Sequence, residues 1–423
     1  MKLGGMKKNA VAGLLLAFTC IGTSTLMGTA PATASASPRS NGSVPAALTH
    51  PGGDLAPQAG QAAAESRPHA HSAATVTPAL PRPTGPHPVG RSTLHLVDSS
   101  RPDPWVPDRK ARELMVSVWY PARKATGRPA PYVTPQESEL ILRGVPQLTD
   151  LPPDTLAKTR TYATTDAPAL GRKGGRPLVV MSPGMSLPRA TLTSLAEEFA
   201  SRGYVVAGIG HTYEAVATSF PDGRTATFEA GRGGQTPELG EKVARVRAAD
   251  TEFVLDRLVK AGRWNRLIDE RRIAMVGHSV GGQSAAHLLP VSRRVRAAVN
   301  LDGSYNPRTP AQDIGKPFMM IGNPRQQPGT SGEQGSWDAF WTHVTGDWKR
   351  WLTVTGAEHM SFVDYAVLQP QLGLPASPID GERSLRITRA YVTAFLDTHL
   401  RGERRPLLDG PSAEYPEVKF WGP

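Results

Sequence analysis

Gly277-His278-Ser279-Val280-Gly281 sets a serine between glycines two residues before and two after it, and Gly282 follows. A serine hydroxyl is a poor nucleophile until an imidazole takes its proton, and the imidazole needs a carboxylate to hold its tautomer. The pentapeptide suits a strained strand-to-helix turn, where flanking side chains must be absent so that strand and helix can approach. Residues 273–276 read as that strand and 283–289 as that helix. A helix N-terminus behind the serine also favours developing negative charge. The rival reading, a Gly-rich turn with an idle serine, is weakened by this strand-turn-helix context.

A base and an acid should follow, each just after a strand. Four histidines lie beyond Ser279: His287, His343, His359 and His399. His287 points along the helix leaving the turn, and His343 sits in a Trp-rich amphipathic stretch suited to packing. His399 ends the last helix, where histidines meet terminal carbonyls. His359 alone follows a strand, after Leu352-Thr353-Val354-Thr355 and Gly356-Ala357-Glu358. Asp302 directly follows the apolar run Ala297-Ala298-Val299-Asn300-Leu301. One strand later, where such an acid more usually stands, Asn323 follows Met319-Met320-Ile321-Gly322, and an amide cannot balance an imidazolium. The expected catalytic set is Ser279, Asp302 and His359, with a plain strand-end aspartate as the alternative for Asp302. The oxyanion of the intermediate needs preorganised donors. The expected pair is the backbone N–H groups of Val280 and of Met185, the latter closing the turn Met181-Ser182-Pro183-Gly184.

Such a set must be carried by a sheet. Residues 93–97 and 114–120 read as early strands, and 122–172 as an irregular Pro-rich stretch with a helix-like patch at 137–142. Strands at 178–181, 204–209, 273–276, 295–301, 317–321 and 351–354 then alternate with helices at 192–200, 239–259 and 385–400. The alternation predicts an α/β fold: a mostly parallel sheet with helices on both faces, and chemistry beyond the carboxyl ends of its strands. The long helix should turn Val243, Val246, Phe253, Val254 and Leu258 inward. Arg247 and Asp250 share a face of it and are expected to pair.

The chain has 423 residues and a formal charge of +11. Residues 1–36 read as a signal peptide: Lys2, Lys7 and Lys8, a mostly apolar stretch over 10–27, then Ala34-Ser35-Ala36. Polar interruptions from Thr19 to Thr25 make a membrane anchor the weaker reading. The single cysteine, Cys20, lies inside this segment, so the exported chain would hold no disulfide, thiol nucleophile or Cys-ligated metal. Residues 37–88 read as a disordered Pro/Ala/Gly-rich linker with solvated His50, His69, His71 and His87. Residues 89–423 are then the catalytic domain. Basic residues are scattered without interleaved aromatics, which argues against nucleic acid.

Taken together, these residues resemble the plasma-type platelet-activating-factor acetylhydrolases and related secreted bacterial lipases and esterases of the α/β-hydrolase fold. Val118-Trp119-Tyr120-Pro121, Leu178 to Gly184, Gly277 to Gly282 and Leu301-Asp302-Gly303 carry the resemblance, with Gly356 to His359 and Ser361-Phe362. The short interval from Ser279 to Asp302 matches this family's early acid. Pro183 departs from it, standing where the family often has His, while His211 matches a family histidine read as structural or pocket-lining. The resemblance implies an extracellular, cofactor-free and calcium-independent hydrolysis of short acyl esters by Ser279, Asp302 and His359. The implied partner is a small-molecule or lipid ester, met by a monomer with at most transient contact to a lipid interface. The runner-up is a long-chain lipase or polyester hydrolase, with 122–172 as lid or decoration. A serine peptidase and a non-catalytic binding module stand behind it, and a metalloenzyme is weaker still.

Overall fold

Continuous apolar runs rich in Val, Ile, Leu and Met build the centre of the sheet, because strands covered on both faces have no polar side to show. The computed structural model describes residues 76–232, 234, 236–260, 262–305, 312–330 and 337–422. In chain order the strands are β1 (Val89–Asp98), β2 (Arg112–Pro121), β3 (Ala163–Thr165), β4 (Arg176–Ser182), β5 (Val205–His211), β6 (Ala217–Ser219), β7 (Thr225–Thr227), β8 (Ile268–His278), β9 (Val295–Leu301), β10 (Phe318–Gly322), β11 (Lys349–Val354) and β12 (Val418–Trp421). Ten form one sheet in the order β12-β11-β10-β9-β8-β4-β5-β2-β1-β3, and β6 and β7 form a hairpin. The six from β5 to β11 in that order run parallel, while β2 and β12 join antiparallel at either side.

The helices are α1 (Pro135–Arg143), α2 (Thr193–Ser201), α3 (Pro237–Lys260), α4 (Gly262–Asn265), α5 (Val280–Val291), α6 (Trp337–Trp341), α7 (Tyr365–Gln371) and α8 (Gly381–Leu396). Successive strand residues face opposite cores. Val179 and Met181 of β4 pack with α2, α7 and α8, whereas Leu178 and Val180 pack with α3 and α5. This is the expected mostly parallel sheet with helices on both faces, an α/β-hydrolase arrangement. Among the described residues no helix is long and apolar enough to cross a membrane.

Three local expectations change. The long helix is α3, and its buried face carries Val243, Val254 and Leu258 but also Arg247 and Asp250, while Val246 and Phe253 are only half-buried. The Pro-rich stretch 122–172 is built into the larger core through Tyr132, Val133, Ile141, Leu142, Val145, Leu148 and Leu156. Its helix α1 opens with a capping box, Thr134 accepting from Glu137 N–H and Glu137 accepting from Thr134 N–H.

The third difference is the linker boundary. Residues 76–88 do not behave as linker: Leu80 is buried and its N–H donates to Arg160 O at 3.1 Å. Ala79 exchanges hydrogen bonds with the Gln371 amide, Thr84 donates twice to Glu198, and Arg389 donates to the carbonyls of Pro81 and Arg82. Proline removes donors but leaves carbonyls free to be met by side chains, and the partners lie between 80 and about 300 residues away, beyond the reach of local composition. The signal peptide at 1–36, the linker as far as residue 75, and His50, His69 and His71 lie outside the described residues.

Candidate active site

β8 ends at His278 and α5 starts at Val280, so Ser279 is the single residue joining them. Its backbone has φ 56° and ψ −127°, a region that costs a non-glycine residue on the order of 1–3 kcal/mol. Neighbours fix it there. Ser279 N–H donates to Leu301 O at 2.9 Å, and Ser279 O accepts from Gly282 N–H at 2.8 Å. A Cβ on Gly277 would overlap the Gly281 carbonyl, and one on Gly281 would overlap Ser182 O. The glycine spacing is therefore a steric requirement of the turn.

Asp302 stands at the end of the next strand, β9, also at positive φ (53°) and almost fully buried. Three donors converge on its carboxylate: His359 Nδ1–H at 2.7 Å, Asn323 N–H at 2.8 Å and Asn323 Nδ2–H at 2.8 Å. Asn323, which the sequence offers only as a misplaced amide, is thus a clamp on the acid. His359 follows β11 after a turn at Gly356 (φ +77°) and keeps 36 % of its side chain exposed. Burial works to lower its pKa, but the hydrogen bond and charge of Asp302 outweigh that and raise it.

His278 ties the histidine loop to the serine turn. Its ring lies 4.7 Å from that of His359, and its Nε2–H donates to His359 O at 2.9 Å. Burial first, and the charge of His359 second, push His278 down to about 3, so it is a neutral wall. The loop after β4 closes the other side: a Cβ on Gly184 would stand 3.3 Å from Ser279 Cβ. Val280 N–H is the first amide of α5 and has no acceptor within its helix. Met185 N–H has no acceptor among the described residues. Both amides lie on segments that flank Ser279.

A buried ionic network supports that loop. Arg247 donates to the carbonyls of Pro183 and Gly184 and to Ser182 Oγ, while its Nε pairs with Glu214 at 2.7 Å. His211 bridges Ser182 Oγ (3.0 Å) and Asp250 (2.8 Å), and Arg112 binds Asp250, Glu214 and Asp103. Burial alone would raise Asp250, but Arg112 overrides it and holds the carboxyl far below its usual range. The donor atoms of His211, Glu214 and Asp250 come within 4.8 Å of one another, a metal-like spacing, yet the two guanidinium groups already serve these donors. The expected Arg247–Asp250 pair is not formed; each finds a partner on another element.

The family model for platelet-activating factor acetylhydrolase, isoform II, matches residues 72–232 and 235–405. The chain belongs to that family. A probable 1-alkyl-2-acetylglycerophosphocholine esterase of Arthroderma benhamiae is 27% identical over 379 residues, 81% of this chain and 93% of that protein. The platelet-activating factor acetylhydrolase of Gallus gallus is 24% identical over 276 residues, 54% of this chain and 63% of that protein. Among solved structures, a ferulic acid esterase from Streptomyces cinnamoneus aligns with a TM-score of 0.71 and 40% identity, covering 82% of this chain and all of that one.

Within this acetylhydrolase-family fold the remaining histidines are placed as follows. His287 is half-buried along α5. His343 is not packed among the tryptophans: it is exposed and meets Asp313 at 3.0 Å. His399 packs against Trp348 and Phe395, where burial pushes it down to about 4. His211 is wholly buried in the network. Sequence reasoning missed the roles of Asn323, His278 and Arg247. For Asn323 the signal was its position at a strand end, and for Arg247 its place on the inward face of α3.

Proposed function

We propose that the protein is a secreted serine carboxylic-ester hydrolase that cleaves short-to-medium acyl esters through Ser279, His359 and Asp302. As a member of its family the chain is an ester hydrolase; the residue roles, export and acyl preference are the finer reading. The observation that carries it is the Asp302–His359 hydrogen bond, with a strained Ser279 tied through its N–H to Leu301, the residue before Asp302. In this reading His359 Nε2 accepts the Ser279 proton as Oγ attacks the ester carbonyl, and Asp302 stays ionised to hold Nδ1–H. Met185 and Val280 N–H receive the oxyanion. His359 then returns the proton to the departing alcohol, leaving an acyl-enzyme that water cleaves by the same steps. The family's esterase names, and the ferulic acid esterase among its structural relatives, support esters of small acids. Residues 1–36 act as the export signal, 37–75 as linker, and the working enzyme is a monomer without cofactor.

The test is turnover of p-nitrophenyl esters from acetate to palmitate by the protein and by Ser279→Ala. Loss of the nucleophile should lower kcat by about 10⁶-fold. A maximum at short chains supports the reading, whereas a maximum at palmitate would make the protein a long-chain lipase. Equal turnover by Ser279→Ala would remove Ser279 from the chemistry.

A further inference from the structure

A cavity of about 230 Å³ opens over β1 and β2, and none of Ser279, Asp302 and His359 lines it. In the sheet order β2 stands three strands from β8, about 14 Å at a strand spacing of about 4.8 Å. Arg91, Ser117, Trp119, Glu137, Arg189 and Phe220 are among its lining residues, and exposed Thr93 and Pro131 stand at its rim.

Its electrostatics are unbalanced. Arg91 is 9% exposed, yet among the described residues its guanidinium makes no hydrogen bond or ion pair; it lies 5.8 Å from the centre of the Trp119 ring. Buried guanidinium groups ordinarily have hydrogen-bonded acceptors. Arg189 donates to Ser117 Oγ at 3.0 Å, and its carboxylate neighbour, Glu137, is 4.0 Å away. That carboxylate is already engaged by the N–H groups of Thr134 and Ser219. Glu197 also acts on Arg91, but it accepts from the N–H groups of Tyr162 and Ala163, and burial pushes it up to about 7. Burial first, and the like charge of Arg189 second, push Arg91 down to about 10. The Trp119 indole N–H has no acceptor among the described residues. Trp119, Val133 and Phe220 supply apolar walls.

We propose that this cavity binds a small organic anion, its carboxylate or phosphate-monoester oxygens on Arg91 and Arg189 and its apolar body against Trp119 and Phe220. Two guanidinium forks can share one oxyanion group, and the aromatic wall selects against inorganic ions. The site stands on this geometry alone and does not depend on the reaction at Ser279.

Calorimetric titration of the full chain with benzoate, phenyl phosphate, benzamide and inorganic phosphate tests it. Benzoate or phenyl phosphate should bind one-to-one, and the neutral isostere benzamide should bind at least about tenfold more weakly. Preference between the two anions identifies a carboxylic acid or a phosphate ester as the source. Arg91→Gln should weaken binding by about tenfold or more while Ser279→Ala leaves it unchanged. If Arg91→Gln does not fold, Thr93→Tyr, placed at the exposed rim, should block the same binding, and benzoate but not benzamide should raise the melting temperature of the unmodified chain. Equal binding of benzoate and benzamide, retention of binding in Arg91→Gln, loss of it in Ser279→Ala, or tighter binding of inorganic phosphate than of either organic anion would each overturn the proposal.

Discussion

At the scale of single residues, the site is a contest between burial and charge at His359. Asp302 raises the His359 pKa, so the proposed base stays protonated over a wider acid range than a free imidazole. The acid limb of kcat/KM should therefore have its midpoint above about 6.5. Asp302→Asn should move that midpoint downward and lower kcat by about 10⁴-fold. An unchanged midpoint in Asp302→Asn would separate Asp302 from the titration. The candidate acid and base were legible because both follow apolar strands in a fixed order. The clamp by Asn323 was not, since its side-chain amide and backbone N–H, just beyond β10, meet Asp302 only when β9 and β10 lie side by side.

At the scale of elements, the loop after β4 owes its shape to α3. Arg247 reaches from that helix to the Pro183 and Gly184 carbonyls, which fixes the direction of the Met185 N–H. Arg247→Met should lower kcat by at least about tenfold with a smaller change in KM, approaching the 10²–10³-fold lost when an oxyanion donor is removed. It also leaves Glu214 buried beside one fewer cation, which should cost roughly 3–5 kcal/mol in unfolding free energy. Arg247→Lys should recover part of that stability but little of kcat, because an ammonium lacks the planar fork. Denaturant unfolding and steady-state kinetics on both variants check this. The helix itself was legible from its apolar spacing, but its buried face also carries Arg247 and Asp250, and periodicity carries no information on which distant carboxylate a buried arginine will find. The edge strand β12 was equally hidden, being only four residues long and paired to β11 across the whole length of α8.

At the scale of the whole molecule, the mostly parallel sheet with helices on both faces was legible from alternation alone, whereas the strand order was not. Neither was the beginning of the domain, because Pro-rich composition conceals residues 76–88. A chain starting at residue 76 should melt like the full chain and keep its turnover. One starting at residue 89 loses the burial of Leu80 and leaves Glu198 and Arg389 short of partners, so its melting temperature should fall by at least about 5 °C. Scanning calorimetry on the two chains reads the difference, and equal melting would mean that this strap contributes nothing.

The same strap bears on how the protein is made. Ala79 meets Gln371 across 292 residues, and Arg82 meets Arg389 across 307. A ribosome delivers the strap well before its dock, which is among the last elements made. Such distant pairings form slowly, since the closing entropy comes before any contact rewards it. A chain in transit thus holds Ser279, Asp302 and His359 once residue 359 has emerged, yet the frame that aims them stays open until α8 arrives.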